Sequence, residues 1–396
     1  IQARITMHKR VQQLEPMLPT VINKLSLACA LAALTTASGA SAQSSVQLYG
    51  ALDTYVAHQT ASGTGSVNVL NSGFNPNSLG FTGTEDLGGG LFAGFVLEGQ
   101  PLVDTGTLGQ GGKFYGRQSL VYLANDWGRV GLGRQHTPGR AFGIKYSTSG
   151  WLSTDAFANL ELAMGSAITS AMNVDTVGAR LSNSITYSSP KIGGFTFHAI
   201  TSLNENGKFA DGQAKMTMAS ISYANGPIEV DFVASRIPEV IGSQIPQTDF
   251  GLGATYNLSF ARLQLVYQAK RGQAVSAVNS TVGIPGSEGT DHIIGGGIQV
   301  PFGANLIGVS YAKLDVADQH RGLRQANIGA PFSSFMADGQ AWSLGYSYSL
   351  SKRTQLFAAF GRLSNSAFGT ASLTPGLRPA AGGTSRVAAT GIRHVF

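Results

Sequence analysis

"AATGIRHVF", residues 388–396, is the last stretch of the chain. Drawn out as a strand, it puts Ala388, Thr390, Ile392, His394 and Phe396 on one face and Ala389, Gly391, Arg393 and Val395 on the other. Chain ends that nothing ties down fray and carry small or polar residues. This one alternates up to a terminal aromatic. The docked edge of a soluble sandwich would tie such a strand down, and so would the closing strand of a barrel. The barrel explains more, because its last strand must pair with its first to remove the open edge.

Upstream, the same two-residue period recurs in short segments broken by glycine, proline, asparagine and serine. Sixteen are read: 46–58, 77–86, 91–100, 114–124, 129–136, 182–189, 194–204, 214–224, 227–236, 247–256, 260–271, 290–300, 304–314, 338–350, 354–363 and 384–396. Tight turns such as "NDWG", "NGP" and "SKR" alternate with long connections. A transmembrane barrel sorts its loops in this way, with short periplasmic turns and long outer loops, and a soluble sandwich has no reason to. The expected fold is therefore all-β, a transmembrane antiparallel barrel of 16 strands. Tyr49, Tyr55, Trp127, Tyr187, Tyr223, Tyr256, Trp342, Tyr346, Tyr348 and Phe396 stand near segment ends, where aromatic girdles would form.

Composition agrees. With 52 glycines, 12% charged residues and a mean hydropathy of +0.06, the chain of 396 residues is too apolar for disorder. After residue 42 it offers no run of the ~18 to 20 apolar residues a transmembrane helix needs. Within "VINKLSLACALAALTTASGASAQ", Lys24 precedes an apolar run from Leu25 to Leu34, and Ala40 and Ala42 follow. That is the layout of a secretory signal, so residues 1–42 are expected to be upstream residues and a cleaved signal peptide, leaving a barrel over 43–396. Cys29, the single cysteine, falls inside the signal. Removing Arg4, Lys9, Arg10, Lys24 and Glu15 with the leader lowers the formal charge from +6 to +3, too small and scattered an excess for nucleic acid.

One connection is far longer than the rest. Residues 137–180 contain "TDAFANLELAMG", whose Phe157, Leu160, Leu162 and Met164 have helical spacing. A loop of this length in a compact fold usually has a function. As the third outer loop it is expected to fold into the lumen and narrow it.

"SVQLYGALD", "GTEDLGGGLFAGFVLE", "FYGRQSLVYL" followed by "GRVGLGRQ", "RLSNSITYSSP", "YSYSLSKRTQLF" and "GIRHVF" together resemble the general trimeric porins of Gram-negative outer membranes, in particular the β-proteobacterial type. The resemblance spans nearly all of 46–396. It implies a homotrimer in outer-membrane lipid, a channel for small hydrophilic solutes and ions, and a last strand similar to the one the outer-membrane assembly machinery reads at its final aromatic, here Phe396. It also implies a pore with basic residues on one wall and acidic ones opposite. By motif, Arg117 and Arg180 match basic positions and Glu98 an acidic one, while Ser78 in "NSLGF" stands where relatives often carry a basic residue. That departure leads to an expectation of only weak anion preference.

Arg117 and Arg180 suit the lumen, since an arginine facing lipid at mid-depth costs about 2 to 4 kcal/mol. Alternatively, either arginine pins the inward loop through a carboxylate. Asp155, Glu161 and Asp175 are the loop's acids, at least one of them expected to face the pore. Phe142, Tyr146, Trp151 and Phe157 would suit a sugar-selective channel if they faced water. An outer-membrane enzyme is the rival class. It would need a nucleophile and a base within reach, and no histidine lies in a G-x-S-x-G setting. Asp291 and His292, adjacent in a strand, point to opposite faces. "DLGGG" and "IIGGGIQ" are read as turns or bulges rather than phosphate loops. No cofactor and no metal site is expected.

Overall fold

The computed structural model describes residues 45–166, 168, 178–203, 215–238, 246–273, 287–321, 336–373 and 377–396. The expected leader, residues 1–42, lies outside them, as does Asp175. Seventeen strands follow in chain order: β1 (Ser45–Ala61), β2 (Gly65–Ser72), β3 (Ser78–Gly88), β4 (Leu91–Gly99), β5 (Gln118–Asn125), β6 (Gly128–His136), β7 (Arg180–Ser188), β8 (Phe195–Ser202) and β9 (Thr217–Asn225), then β10 (Ile228–Ile237), β11 (Gln247–Asn257), β12 (Arg262–Gln273), β13 (Ser287–Phe302), β14 (Asn305–Asp315), β15 (Gly339–Ser349), β16 (Thr354–Asn365) and β17 (Thr384–Val395).

Apart from β2 and β3, which both pair with β1, each strand pairs antiparallel with its neighbour in sequence, and β17 returns to β1 with Ala51 opposite Val395 and Ala61 opposite Ser385. The sheet is closed. β2 and β3 share one place in it, because the upper part of β1 pairs with β2 and the lower part with β3. The wall therefore has the sixteen positions expected. β2 escaped the sequence reading because "GSVNVLNS" is nearly all exposed and carries no core face. Between β2 and β3 the chain turns inward, where Asp53 accepts from the backbone N–H of Phe74 (2.8 Å) and Asn75 (2.9 Å).

The alternation is apolar-out and polar-in. In β15, Trp342, Leu344, Tyr346 and Tyr348 face outward, while Ala341, Ser343, Gly345 and Ser347 face the lumen. A fold that leaves such a band uncovered needs lipid around it. Short turns gather at one end and long connections at the other. Gly88, Gly89 and Gly90 make one such turn with φ of +83°, +60° and +77°, a left-handed run that side chains resist.

The long connection after β6 carries two helices, α1 (Pro138–Lys145) and α2 (Ala156–Met164). Thr137 caps α1, and Gly165, in the left-handed region, ends α2. Phe157, Leu160 and Met164 are buried as their spacing suggests, whereas Leu162 stays half-exposed. α2 packs against β13 to β16 and α1 against β8 to β10, all from inside the barrel.

Three local expectations change. Tyr49 and Tyr55 face inward instead of joining a girdle: Tyr49 donates to Glu98 (2.9 Å), and Tyr55 packs edge-on to Phe74. "FYGR" stops short of β5, since the Gly116 and Arg117 N–H groups bond to Lys113 and Glu98 carbonyls in a turn. Gly295 to Gly297 form neither turn nor bulge but lie within regular β13.

Candidate functional site

The lumen is divided by the loop after β6, and what lets that loop lie so close to the wall is a row of inward-facing glycines. A Cβ on Gly308 would sit 2.6 Å from the Thr148 carbonyl oxygen. On Gly297 it would strike the Thr148 side chain at 2.7 Å, and on Gly251 the Phe142 ring at 2.8 Å. Gly253 lies under the Tyr146 ring, Gly345 under the Ser149 carbonyl and Gly361 under the Thr154 carbonyl. Real Cβ atoms do not approach so closely, so each position needs a residue with no side chain. β12 contributes amides instead of glycine: Gln264 donates to the Lys145 carbonyl and Gln268 to that of Ile168 (2.8 Å).

Aromatic packing completes the seat. Trp151 stacks on Phe357 with ring centroids 4.1 Å apart, and Phe74 stacks on Phe357 at 5.0 Å. Phe142, Tyr146, Trp151 and Phe157 are all buried in this layer. Tyr146, Trp151 and Phe157 are packed away from open space, and Phe142 keeps only an edge on the cavity along the inner wall.

The loop's described acids, Asp155 and Glu161, are buried as well. Asp155 is fully buried; its carboxylate accepts from the N–H groups of Ser149 (2.9 Å), Phe157 (3.0 Å) and Ala158 (3.1 Å) and from the Ser310 hydroxyl (2.9 Å). It caps α2 and ties it to β14. Burial pushes its carboxyl up despite these donors. Glu161 is also fully buried on α2. The loop turns Ala141 and Ile144 toward open space instead.

Across the lumen the wall is cationic. Arg117 pairs with Glu98, whose other oxygen accepts from Tyr49. Arg134 donates to the Gly116 carbonyl and the Ser182 hydroxyl, both at 2.8 Å. Arg180, fully buried, donates to Gln110 Oε1 (2.9 Å). Arg140, at the start of α1, is pushed down to about 9 by burial and by Arg117, with Glu98 opposing, and so stays charged at neutral pH. Arg117, Arg140 and Arg180 all lie close enough to His136 to act on it electrostatically, and Glu98 is paired with Arg117. Arg117 is tied to the wall rather than to the inward loop. Arg180 is placed behind the water-facing surface, so its charge acts through the field rather than by contact.

Ser78 opens β3 beside Ala51, half-buried and uncharged. Asp53 and Arg393 form a further pair (3.1 Å) linking β1 and β17. Below α1 a cavity of 420 Å³ runs along the inner wall, lined among others by Arg129, Lys145, His136, His198 and Asp231. Sequence reading missed Arg140 and the glycine row. Arg140 lies outside the motifs that match pore positions, and a glycine inside a strand does not declare what approaches it. Asp291 and His292 do part: Asp291 binds Lys270 and His320 inside, and His292 meets Tyr267 outside. Among the described residues no group of three or more His, Cys, Asp or Glu could hold a metal ion.

Comparison with known proteins bears on what this lumen does. The family described as Gram-negative porin matches residues 28–367. The outer membrane porin protein 32 of Delftia acidovorans is 31% identical over 384 residues, covering 93% of this chain and 98% of the relative. An outer membrane porin protein of Bordetella pertussis is 28% identical, covering 88% of this chain and 96% of the relative. The solved anion-selective porin from Comamonas acidovorans superposes with a TM-score of 0.65 at 26% identity, over 89% of this chain and all of that one. OmpT of Vibrio cholerae, solved in a trimer form, superposes with a TM-score of 0.59 at 14% identity, a likeness of fold alone. With a closed wall that faces lipid and a lumen narrowed from within, the chain belongs to the Gram-negative porins, outer-membrane barrels through which solutes diffuse passively.

Proposed function

We propose that this porin favours small anions over cations, weakly, and works as a homotrimer. The observation that carries the reading is the asymmetry of the lumen: Arg117 and Arg180 stand on the β5 to β7 side with Arg140 approaching them from the loop, whereas the loop's described acids, Asp155 and Glu161, are buried. Charge fixed at the narrowest part of a pore sets its selectivity. The anion-selective porin of Comamonas, 26% identical, supports the same sign. Neutral Ser78 and the Arg117–Glu98 pair keep the preference modest. A general diffusion pore is favoured over a sugar-selective one because the four loop rings pack against the wall.

Phe396 is assigned to assembly. Its N–H and carbonyl both bond Gly50 (3.0 and 2.9 Å) across the closing seam. Changing Phe396 to glutamate is expected to lower the amount of barrel assembled in the outer membrane, and normal assembly would refute the role. Cleavage after Ala42, leaving a barrel over 43–396, is checked by the mass of the mature protein. In a planar bilayer the protein should give ohmic steps in threes, and maltose added to either side should leave the current unchanged. Folded protein without conductance would end the channel reading, and block by the sugar would favour a substrate-selective pore.

A further inference from the structure

No Asp or Glu occurs after Asp338, whereas Lys352, Arg353, Arg362, Arg378, Arg386 and Arg393 do. Arg393 is used inside the barrel by Asp53. Two of the others have an unusual position. Arg362 on β16 and Arg386 on β17 are directly opposite one another in the ladder. Their neighbours Leu363 and Val387 face inward and are buried, so both arginines point out of the barrel. Like charges directly opposite on one face of a sheet destabilise it. Among the described residues neither arginine is ion-paired, and the Nε of Arg362 reaches only the Ser364 hydroxyl, at 3.4 Å.

The ladder row that contains the pair bears on its depth. It runs Tyr311, Trp342, Arg362, Arg386, Thr60 across β14, β15, β16, β17 and β1. Tyr311 and Trp342 are 49% and 43% exposed, and outward aromatic residues of this kind mark the level of lipid headgroups. The row lies near the ends of β16 and β17 where the long connections are, which is the outer side. Toward the middle of the wall the outward face becomes apolar, with Phe360 against Trp342 (5.1 Å) and then Leu356 and Ile392. A cationic pair therefore sits at headgroup height above a surface fit for acyl chains, on a panel that brings no carboxylate of its own.

We infer that Arg362 and Arg386 form a docking site for the phosphate of a lipid headgroup in the outer leaflet. The phosphate supplies the negative charge the panel lacks and bridges two guanidinium groups, a geometry arginine suits. The apolar surface beneath takes the chains of the same molecule. The site is separate from the lumen and does not depend on ion choice there.

The test uses folded protein in neutral detergent, mixed with phosphatidic acid or phosphatidylcholine, with retained lipid counted by native mass spectrometry. Phosphatidic acid should be retained in preference. Arg362→Gln with Arg386→Gln should weaken that retention by about 30-fold, the worth of two interfacial arginines, and leave bilayer conductance unchanged. Arg362→Lys with Arg386→Lys should keep part of it. Equal retention of the two lipids, or no loss in the glutamine variant, overturns the site. So does displacement of the lipid by an equal concentration of inorganic phosphate, which would make this a free-anion site. Dissociation of the glutamine variant's oligomer in lipid-free detergent would assign the arginines to a second copy of the chain instead. Should that variant fail to fold, the wild type decides: retention that does not fall as salt shortens screening from about 10 Å to about 3 Å refutes the charge pair.

Discussion

The two sides of the lumen obey one strand rule and put it to opposite uses. On β11 and β13 to β16 the inward positions hold glycine, and the loop backbone lies directly on them. On the approach to β5 and at the start of β7 the wall holds Arg117 and Arg180 instead. The first side removes side chains so that a loop can dock; the second keeps charged ones beside the open path. Where a barrel narrows is thus decided as much by absent side chains on one wall as by charged ones on the other.

Filling the glycine side should have the largest effect. Gly345→Leu drives a side chain into the Ser149 carbonyl and the Trp151 ring. Overpacking of this kind costs about 1 to 3 kcal/mol, and here the strain is relieved if the loop leaves the wall. Single-channel conductance should rise and the thermal midpoint fall; a variant with wild-type conductance would show that the glycines do not seat the loop.

Changing the arginine side should alter selectivity more than architecture, provided the ion pair is respected. Arg117→Ala alone strands the Glu98 carboxylate, and breaking a buried pair costs about 3 to 5 kcal/mol. Arg117→Ala combined with Glu98→Gln avoids that cost. Because it removes one charge of each sign, adding Arg180→Ala should move the zero-current potential toward cations, while the double variant alone should barely shift it. Equal potentials for the double and triple variants would remove Arg180 from the field that selects ions.

The smallest effect is expected at Asp155, where the two sides meet through the loop. Burial raises this carboxyl above its unfolded value. Its contribution to folded stability is therefore fully present below the unfolded pKa and is lost as pH rises through the folded one. Asp155→Asn cannot titrate, so the difference in thermal midpoint between mildly acidic and neutral solution should shrink. An unchanged difference would locate the pH dependence elsewhere.

Much of the wall was legible in the sequence because a period of two leaves a mark whichever side is polar. Strands such as 247–256 and 354–363 are displaced by no more than a residue or two in β11 and β16. The helix over 156–164 was legible from Phe157, Leu160 and Met164. What did not show was contact at a distance. Gly308 and Gly345 look like ordinary strand interruptions until the loop from residues 148–149 is laid across them. Asp155 reads in the sequence as a candidate pore charge, and its role as a cap of α2 tied to the Ser310 hydroxyl 155 residues away shows only in the fold. Tyr49 and Tyr55, near a strand end, read as girdle residues although Glu98 and Phe74 draw them inward.

The most direct test of an asymmetric lumen is the zero-current potential of the wild-type channel across a tenfold KCl gradient at low salt, where screening is weakest. The account predicts a potential of anion-selective sign that shrinks as both solutions are made more concentrated. A potential of cation-selective sign would contradict it, because Arg117, Arg140 and Arg180 would then not govern the path that ions take.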